Sequence, residues 1–314
     1  MFVGHALLAF ALVGGTAALL ADRRIALRLG IVAAAFATVP DVDMVYALVG
    51  LVGAEGGVMG TVSSFWAAST AVHRTITHSL LVAPVAAAMA GAWLHGRRSE
   101  APVWLGVAVV LGAGLGTVAT LVSGALGGAV MAVFVVAAVA VAEGVGQYTE
   151  FGSRAMIAAG FVGLFSHPFG DLATGEPPAF LYPLNAPLVT ERVALADDAT
   201  LHLLGAFGVE LAAIWAGLLV AMWLLERPVR AAIDFRAVVG VGYALAALAI
   251  PAPTLDFSYH FVFSVLSVGM IGAVPRVRFP NVAVERPDAV GAALTGLAAV
   301  TLAGMAYTVA YVLV

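Results

Sequence analysis

The chain contains no cysteine, which excludes a disulfide framework and any thiolate metal site, so a bound ion would have to sit on His, Asp or Glu. It contains no lysine either, and all 14 basic residues are Arg. Charge of either sign is scarce, at 10% of residues, and the net charge of −4 offers no basic footprint, so no nucleic-acid partner is expected. Soluble domains carry about 25% charged and about 45–50% apolar residues. With 62% hydrophobic residues and a mean hydropathy of +1.06, this chain falls outside that class. In place of charge there are apolar stretches of roughly 20 residues, the length of helix that crosses a hydrocarbon core about 30 Å thick.

Divided at Pro, Gly and charge clusters, the sequence predicts an all-α, polytopic membrane helix bundle of about ten spans. They fall near 3–21, 27–51, 75–95, 102–122, 125–142, 155–173, 203–225, 237–251, 258–274 and 288–313. The first stretch has no basic n-region and no small-residue cleavage site, and so reads as a retained span. The spacings Gly112-x-x-x-Gly116 and Gly124-x-x-x-Gly128 read as close helix packing. Orientation follows from arginine placement, because cytoplasmic connections collect basic residues. Arg23, Arg24, Arg28, Arg97, Arg98, Arg154, Arg227, Arg230, Arg236, Arg276, Arg278 and Arg286 fall in alternate connections, with only Arg74 and Arg192 on the other side. The expectation is a multi-pass protein of the cell membrane with both termini extracytoplasmic.

Polar groups are expensive near hydrocarbon, so those that persist there are functional candidates. Four clusters qualify: Gly4-His5, Pro40-Asp41-Val42-Asp43, His73-Arg74-Thr75-Ile76-Thr77-His78-Ser79, and Ser166-His167-Pro168-Phe169-Gly170-Asp171. His167 and Asp171, at i and i+4, share one helical face. His73 and His78 are five apart, which puts His73 in the turn before the helix that His78 opens. Asp41 and Asp43 are two apart, and both can turn inward only if Pro40 breaks the span. Taken singly, each has a blander reading: an interfacial His, a Pro-Asp turn, a hydrogen-bonded core pair, an arginine anchor for Arg74. Glu210, among Val209, Leu211 and Ala212, needs a partner, whether a metal or a neighbouring helix. His202 is held in reserve, and His95 and His260 lack a second ligand at helical spacing. Donors of this kind suit zinc first, with manganese or iron also compatible, and several of them can hold two ions.

Taken in order, Gly4-His5, Pro40-Asp41-Val42-Asp43, His73 to Ser79, Ser166 to Asp171 and Leu181-Tyr182-Pro183 resemble the YdjM-like family of membrane-bound metal-dependent hydrolases. The resemblance covers roughly residues 1–225, with 226–314 as additional helices. It implies His5, Asp41, Asp43, His73, His78, His167 and Asp171 as ligands of one or more divalent ions, with Glu210 matching the family's Glu after the Leu-Tyr-Pro segment. The family is distantly similar to the zinc-dependent phospholipase C and nuclease group, a link that His167 and Asp171 carry here.

The function expected from these residues is metal-assisted hydrolysis of a phosphoester, a phospholipid or other amphiphile, at the extracytoplasmic face. Asp43 would take the proton of an attacking water, and Arg74 would stabilise the charge developing on phosphate. Thr77 and Ser79 would hold the ligands in place. The rivals are a transporter or metal permease and a non-catalytic metal-binding membrane protein. A permeation pathway needs polar groups continuing to the opposite face, and the inner halves of spans one, two, three and six are almost wholly apolar.

Overall fold

A computed structural model describes residues 2–52, 54–70, 73–278 and 283–314. Among the described residues, the regular structure is helical apart from one short antiparallel pair, β1 (Arg276–Arg278) with β2 (Ala283–Glu285). It divides into two compact units, residues 1–192 with 213–224, and residues 193–212 with 225–314.

The first unit holds α1 (Phe2–Ala17), α2 (Arg23–Ala37), a 3-10 segment (Pro40–Leu51), α3 (Gly57–Thr70), a 3-10 turn (Ile76–His78), α4 (Val82–Ser99), α5 (Pro102–Tyr148), α6 (Ser153–Ser166) and a 3-10 turn (His167–Asp171). α2 packs on α1 and α6, and α4 packs on α5 and α6. Their shared core is made of Phe36, Met89, Met131, Phe134 and Met156, interleaved with alanines. Small residues let the backbones approach where lipid provides no hydrophobic drive for helix association. A Cβ on Gly163 of α6 would lie 2.3 Å from the Ala33 carbonyl oxygen of α2, so only glycine permits this crossing.

The 47 residues of α5 do not form one rod. A straight helix would place residues 112 and 135 about 34 Å apart at 1.5 Å per residue. A Cβ on Gly112 would instead lie 3.1 Å from Val135 Cγ1, and one on Gly128 would lie 2.2 Å from Thr120 Oγ1. The helix therefore folds back at Gly124, whose φ of 70° and ψ of −170° lie in a region essentially reserved for glycine. Its two arms, 102–123 and 125–148, correspond to two separately expected spans. Of the anticipated packing glycines, Gly112 and Gly128 sit at close approaches, Gly116 faces open space, and Gly124 makes the turn.

The second unit begins on α7 (Ala199–Leu224), whose last residues belong to the first unit. It continues through α8 (Val229–Ala232), a 3-10 segment (Phe235–Leu245), α9 (Ala246–Ala249), α10 (Tyr259–Val268), a 3-10 segment (Gly269–Ala273) and α11 (Ala289–Leu313). α11 packs on both 3-10 segments, and Phe261, Val265, Val300 and Tyr307 form the core.

The expected count of about ten spans needs correction. Among the described residues, three helices are long and apolar enough to cross a membrane: Pro102–Tyr148, Ala199–Leu224 and Ala289–Leu313. There are four if Arg23–Ala37 and Pro40–Leu51, bent by 40°, are one broken span. An unbroken run of apolar residues is not an unbroken helix. Pro40 and the motif at residues 167–171 divide two of the runs into α and 3-10 pieces, and Val3–Ala17, Phe235–Ala249 and Tyr259–Ala273 are shorter than 18 residues.

Candidate metal centre

The helices of the first unit run between two ends, and the motifs collect at one of them. His5 opens α1, Asp41 and Asp43 follow α2, His73 and His78 precede α4, and His167 and Asp171 follow α6. The hairpin tip lies there too, because Ser123 Oγ is 3.2 Å from Tyr182 Oη in the loop after Asp171. The other end gathers Arg97, which pairs with Glu143 at 2.9 Å, and Arg98, which donates to the carbonyls of Thr149 and Phe151.

Pro40 has the expected effect. α2 stops, the chain continues as a 3-10 segment, and both carboxylates turn inward, at different depths. Asp41 Oδ1 lies 3.3 Å from His167 Nε2 and 3.9 Å from His78 Nε2. Asp43, 2% exposed, stands behind the imidazoles, accepting from His73 Nδ1 at 2.9 Å and from Thr77 Oγ1 at 2.8 Å.

These bonds decide the histidine tautomers. The single hydroxyl proton of Thr77 goes to the Asp43 carboxylate, which can only accept, so the 2.8 Å contact between Thr77 Oγ1 and His78 Nδ1 has the imidazole as donor. His167 Nδ1 likewise donates to the Ala37 carbonyl at 2.6 Å. The close α2–α6 crossing at Gly163 brings that carbonyl into reach. In the neutral form of each ring the Nε2 atom is then unprotonated, and the two Nε2 atoms face each other 3.0 Å apart. Two lone pairs so placed repel unless a cation lies between them.

Asp171 closes the arrangement. Its Oδ1 receives Arg74 Nη2 at 3.2 Å and lies 3.4 Å from His5 Nε2, while Oδ2 faces His78 Nε2 at 3.4 Å and His167 Nε2 at 3.9 Å. Donors bonded at about 2.0–2.1 Å around a tetrahedral ion sit about 3.3 Å from one another. Five of the six spacings among His78 Nε2, His167 Nε2, Asp41 Oδ1 and Asp171 Oδ2, all but that between the two carboxylates, run from 3.0 to 3.9 Å. Charge agrees: three carboxylates against the one guanidinium of Arg74, with neutral imidazoles, leave the deficit that one divalent ion fills.

Among the described residues, three overlapping groups could hold a metal ion: His5, Asp41 and His167; Asp41, His73 and His78; and His78, His167 and Asp171. His5 is 2% exposed and stacks on His167 at 3.8 Å, and neither of its ring nitrogens has a hydrogen-bond partner among the described residues. Asp43 belongs to none of the groups, and neither does Glu210, which lies half-buried on α7 within the second unit. His95 stacks on Trp104, His202 Nδ1 accepts from the Leu195 amide, and His260 Nε2 donates to the Pro251 carbonyl, all structural roles.

Arg74 adopts φ of 66°, a left-handed conformation costing a non-glycine residue about 1–2 kcal/mol. Around it, Nη2 donates to Thr174 Oγ1 at 2.8 Å, Nη1 to the Glu176 carbonyl at 3.4 Å, and its own carbonyl accepts from the Ala179 amide at 3.0 Å. Ser79 Oγ donates to the Tyr182 carbonyl at 2.6 Å and fastens the same loop to the start of α4. Thr174 and the Ala37 carbonyl escaped the sequence reading. Thr174, three residues beyond Asp171, carried a faint signal, whereas a backbone carbonyl carries none.

Thr77→Val should weaken metal affinity about 10- to 100-fold with every ligand still in place, because the His78 Nδ1 proton loses its acceptor. Thr77→Ser should restore it. Equal affinities across the three proteins in a competition titration would remove Thr77 from the site.

A family profile described as YdjM inner membrane protein matches residues 1–252, extending past the 1–225 that the motifs suggested. No curated protein and no solved structure matches the chain.

Proposed function

Since the chain belongs to the YdjM inner membrane protein family, we propose that it is a membrane-embedded, metal-dependent hydrolase of phosphoesters, acting at the extracytoplasmic face. The observation that carries this reading is the pair of Nε2 lone pairs 3.0 Å apart, ringed by carboxylates and bordered by a held arginine. His78, His167, Asp41 and Asp171 would hold one divalent ion, with His5 extending the donor set towards a second; zinc suits these donors, and manganese or iron would also fit. Such an ion supplies Lewis acidity and lowers the pKa of water.

The protein's own groups do the rest. Arg74 lies beside the donors, and its buried Nε has no hydrogen-bond partner among the described residues, so it is available to an anionic phosphate oxygen. His73 has the most exposed ring of the four clustered imidazoles, at 15% of its side chain, and Asp43 holds its Nδ1 proton. Its Nε2 would take the proton of the attacking water as the new P–O bond forms, and would return that proton to the leaving oxygen as the ester P–O bond breaks and the alcohol departs. Asp43 accordingly acts by orienting His73 and, through Thr77, His78.

Orientation enters the same proposal. The end opposite the donors carries Arg23, Arg24, Arg28, Arg97, Arg98 and Arg154, and this basic bias supports a cytoplasmic position for that end with the N-terminus and the donors outside. Ala186→Cys and Arg230→Cys, each the sole cysteine of its chain and each at an exposed position, test this with an impermeant thiol reagent on intact cells. Ala186→Cys should label and Arg230→Cys should not. The reverse pattern would invert the protein.

A non-catalytic metal protein is the second reading, favoured by the nearly saturated four-donor shell. Apoprotein reloaded with zinc, manganese or iron and offered phospholipids and soluble phosphodiesters separates the two. Stoichiometric metal without hydrolysis supports the second reading, and hydrolysis that depends on metal supports the first.

A further inference from the structure

Beside the metal centre, and within the same unit, lies a cavity of about 300 Å³ with an almost wholly apolar lining. Its walls are the start of α4 (Leu81, Val85), the first arm of α5 (Val110, Gly114, Val118) and Tyr182 from the loop after Asp171. No charged residue lines it, and Tyr182, its one polar side chain, reaches the hairpin tip through Ser123. The cavity and the donors share a joint at Ser79. That hydroxyl follows His78 directly, accepts from the amides of Leu81 and Val82 at 3.0 and 3.3 Å, and donates to the Tyr182 carbonyl at 2.6 Å. Leu81 is three positions after His78, so their Cα atoms are at most about 11 Å apart.

Resting on the hydrolase reading above, we propose that this groove holds the hydrocarbon chain of the substrate, an amphiphile whose phosphate head lies among Arg74 and the donors. The chemistry at the two ends excludes the other occupants. A nucleotide or sugar phosphate would set hydroxyls and ring nitrogens against a wall that has no partner for them. A free phosphate would leave the groove unused. An alkyl chain matches the lining, and a groove opening between helices that pack in hydrocarbon can be entered sideways by a lipid. The chain then fixes the distance from membrane to phosphate, and the head is presented to Arg74 without leaving the bilayer.

Gly114 provides the test. A Cβ there meets nothing within 4 Å, so the backbone admits a side chain at this lining position, and Gly114→Leu puts one into the groove while replacing a poor helix former with a good one. Val118→Phe, at a position 38% exposed, is a second filling variant. Ethyl, hexyl, octyl and decyl phosphate are titrated calorimetrically into metal-loaded protein held in amphipol, with metal content measured in each preparation. In the wild type, affinity should rise about two- to fourfold per methylene until the groove is full. In both variants ethyl phosphate should bind as in the wild type, and the gain with chain length should be lost. Equal affinity for ethyl and decyl phosphate in the wild type, or an undiminished chain-length gain in the variants, would overturn the groove and leave the metal centre standing. Failure of ethyl phosphate to bind any metal-loaded preparation would overturn both.

Discussion

His167→Ala should purify with less than about a tenth of the wild-type metal while still inserting in the membrane, because metal affinity resides in the ligands and insertion in hydropathy. This side chain sits at the centre of the site. His167 belongs to two of the three donor groups, is completely buried, and has its tautomer fixed by the Ala37 carbonyl. The deletion removes the nitrogen donor that lies beside His78 Nε2, Asp41 and Asp171. Asp171→Ala should lose metal too, and would also release Arg74 Nη2. His95→Ala, which removes an exposed ring stacked on Trp104, is the control and should keep its metal. Elemental analysis of the three proteins decides the matter, and full occupancy in both site variants would refute the ligand assignment.

Arg74→Ala should do the opposite, keeping metal and losing turnover by about 10²- to 10³-fold, the usual effect of removing one group that stabilises developing negative charge. The loss should fall on kcat as well as on kcat/KM, since the charge on phosphate grows towards the transition state. Arg74→Lys should restore only part of it, because an ammonium cannot reproduce the fork that engages Thr174, Asp171 and the Glu176 carbonyl together. The variant also relieves little backbone strain, since alanine at φ of 66° is no more comfortable than arginine. A turnover loss that tracks metal loss would make Arg74 a structural cation that neutralises Asp171.

Membrane class, the gathering of the motif residues and the break at Pro40 were all legible in the residues themselves. Hydropathy reports directly on the solvent a segment prefers, and His, Asp and Arg are costly enough in that solvent to mark themselves out. The i, i+4 approach of His167 and Asp171 holds, but on a 3-10 turn that follows α6, and His78 does not open a helix, because it ends a 3-10 turn ahead of α4. What composition could not reveal was continuity. Ten apolar runs became α-helices, 3-10 pieces and one hairpin, because a run ends where backbone geometry fails, as at Gly124, and not where hydropathy falls. Nor could spacing rank Asp41 against Asp43. Two carboxylates two residues apart look alike in the sequence, yet one faces the donors and the other stands behind them holding Thr77 and His73. That distinction depends on how closely α2 and α6 cross at Gly163, and so does the Ala37 carbonyl that orients His167. The residue types set which chemistry is available. Helix approach, measured in tenths of an ångström between backbones far apart in the chain, sets which atom of each residue meets the ion.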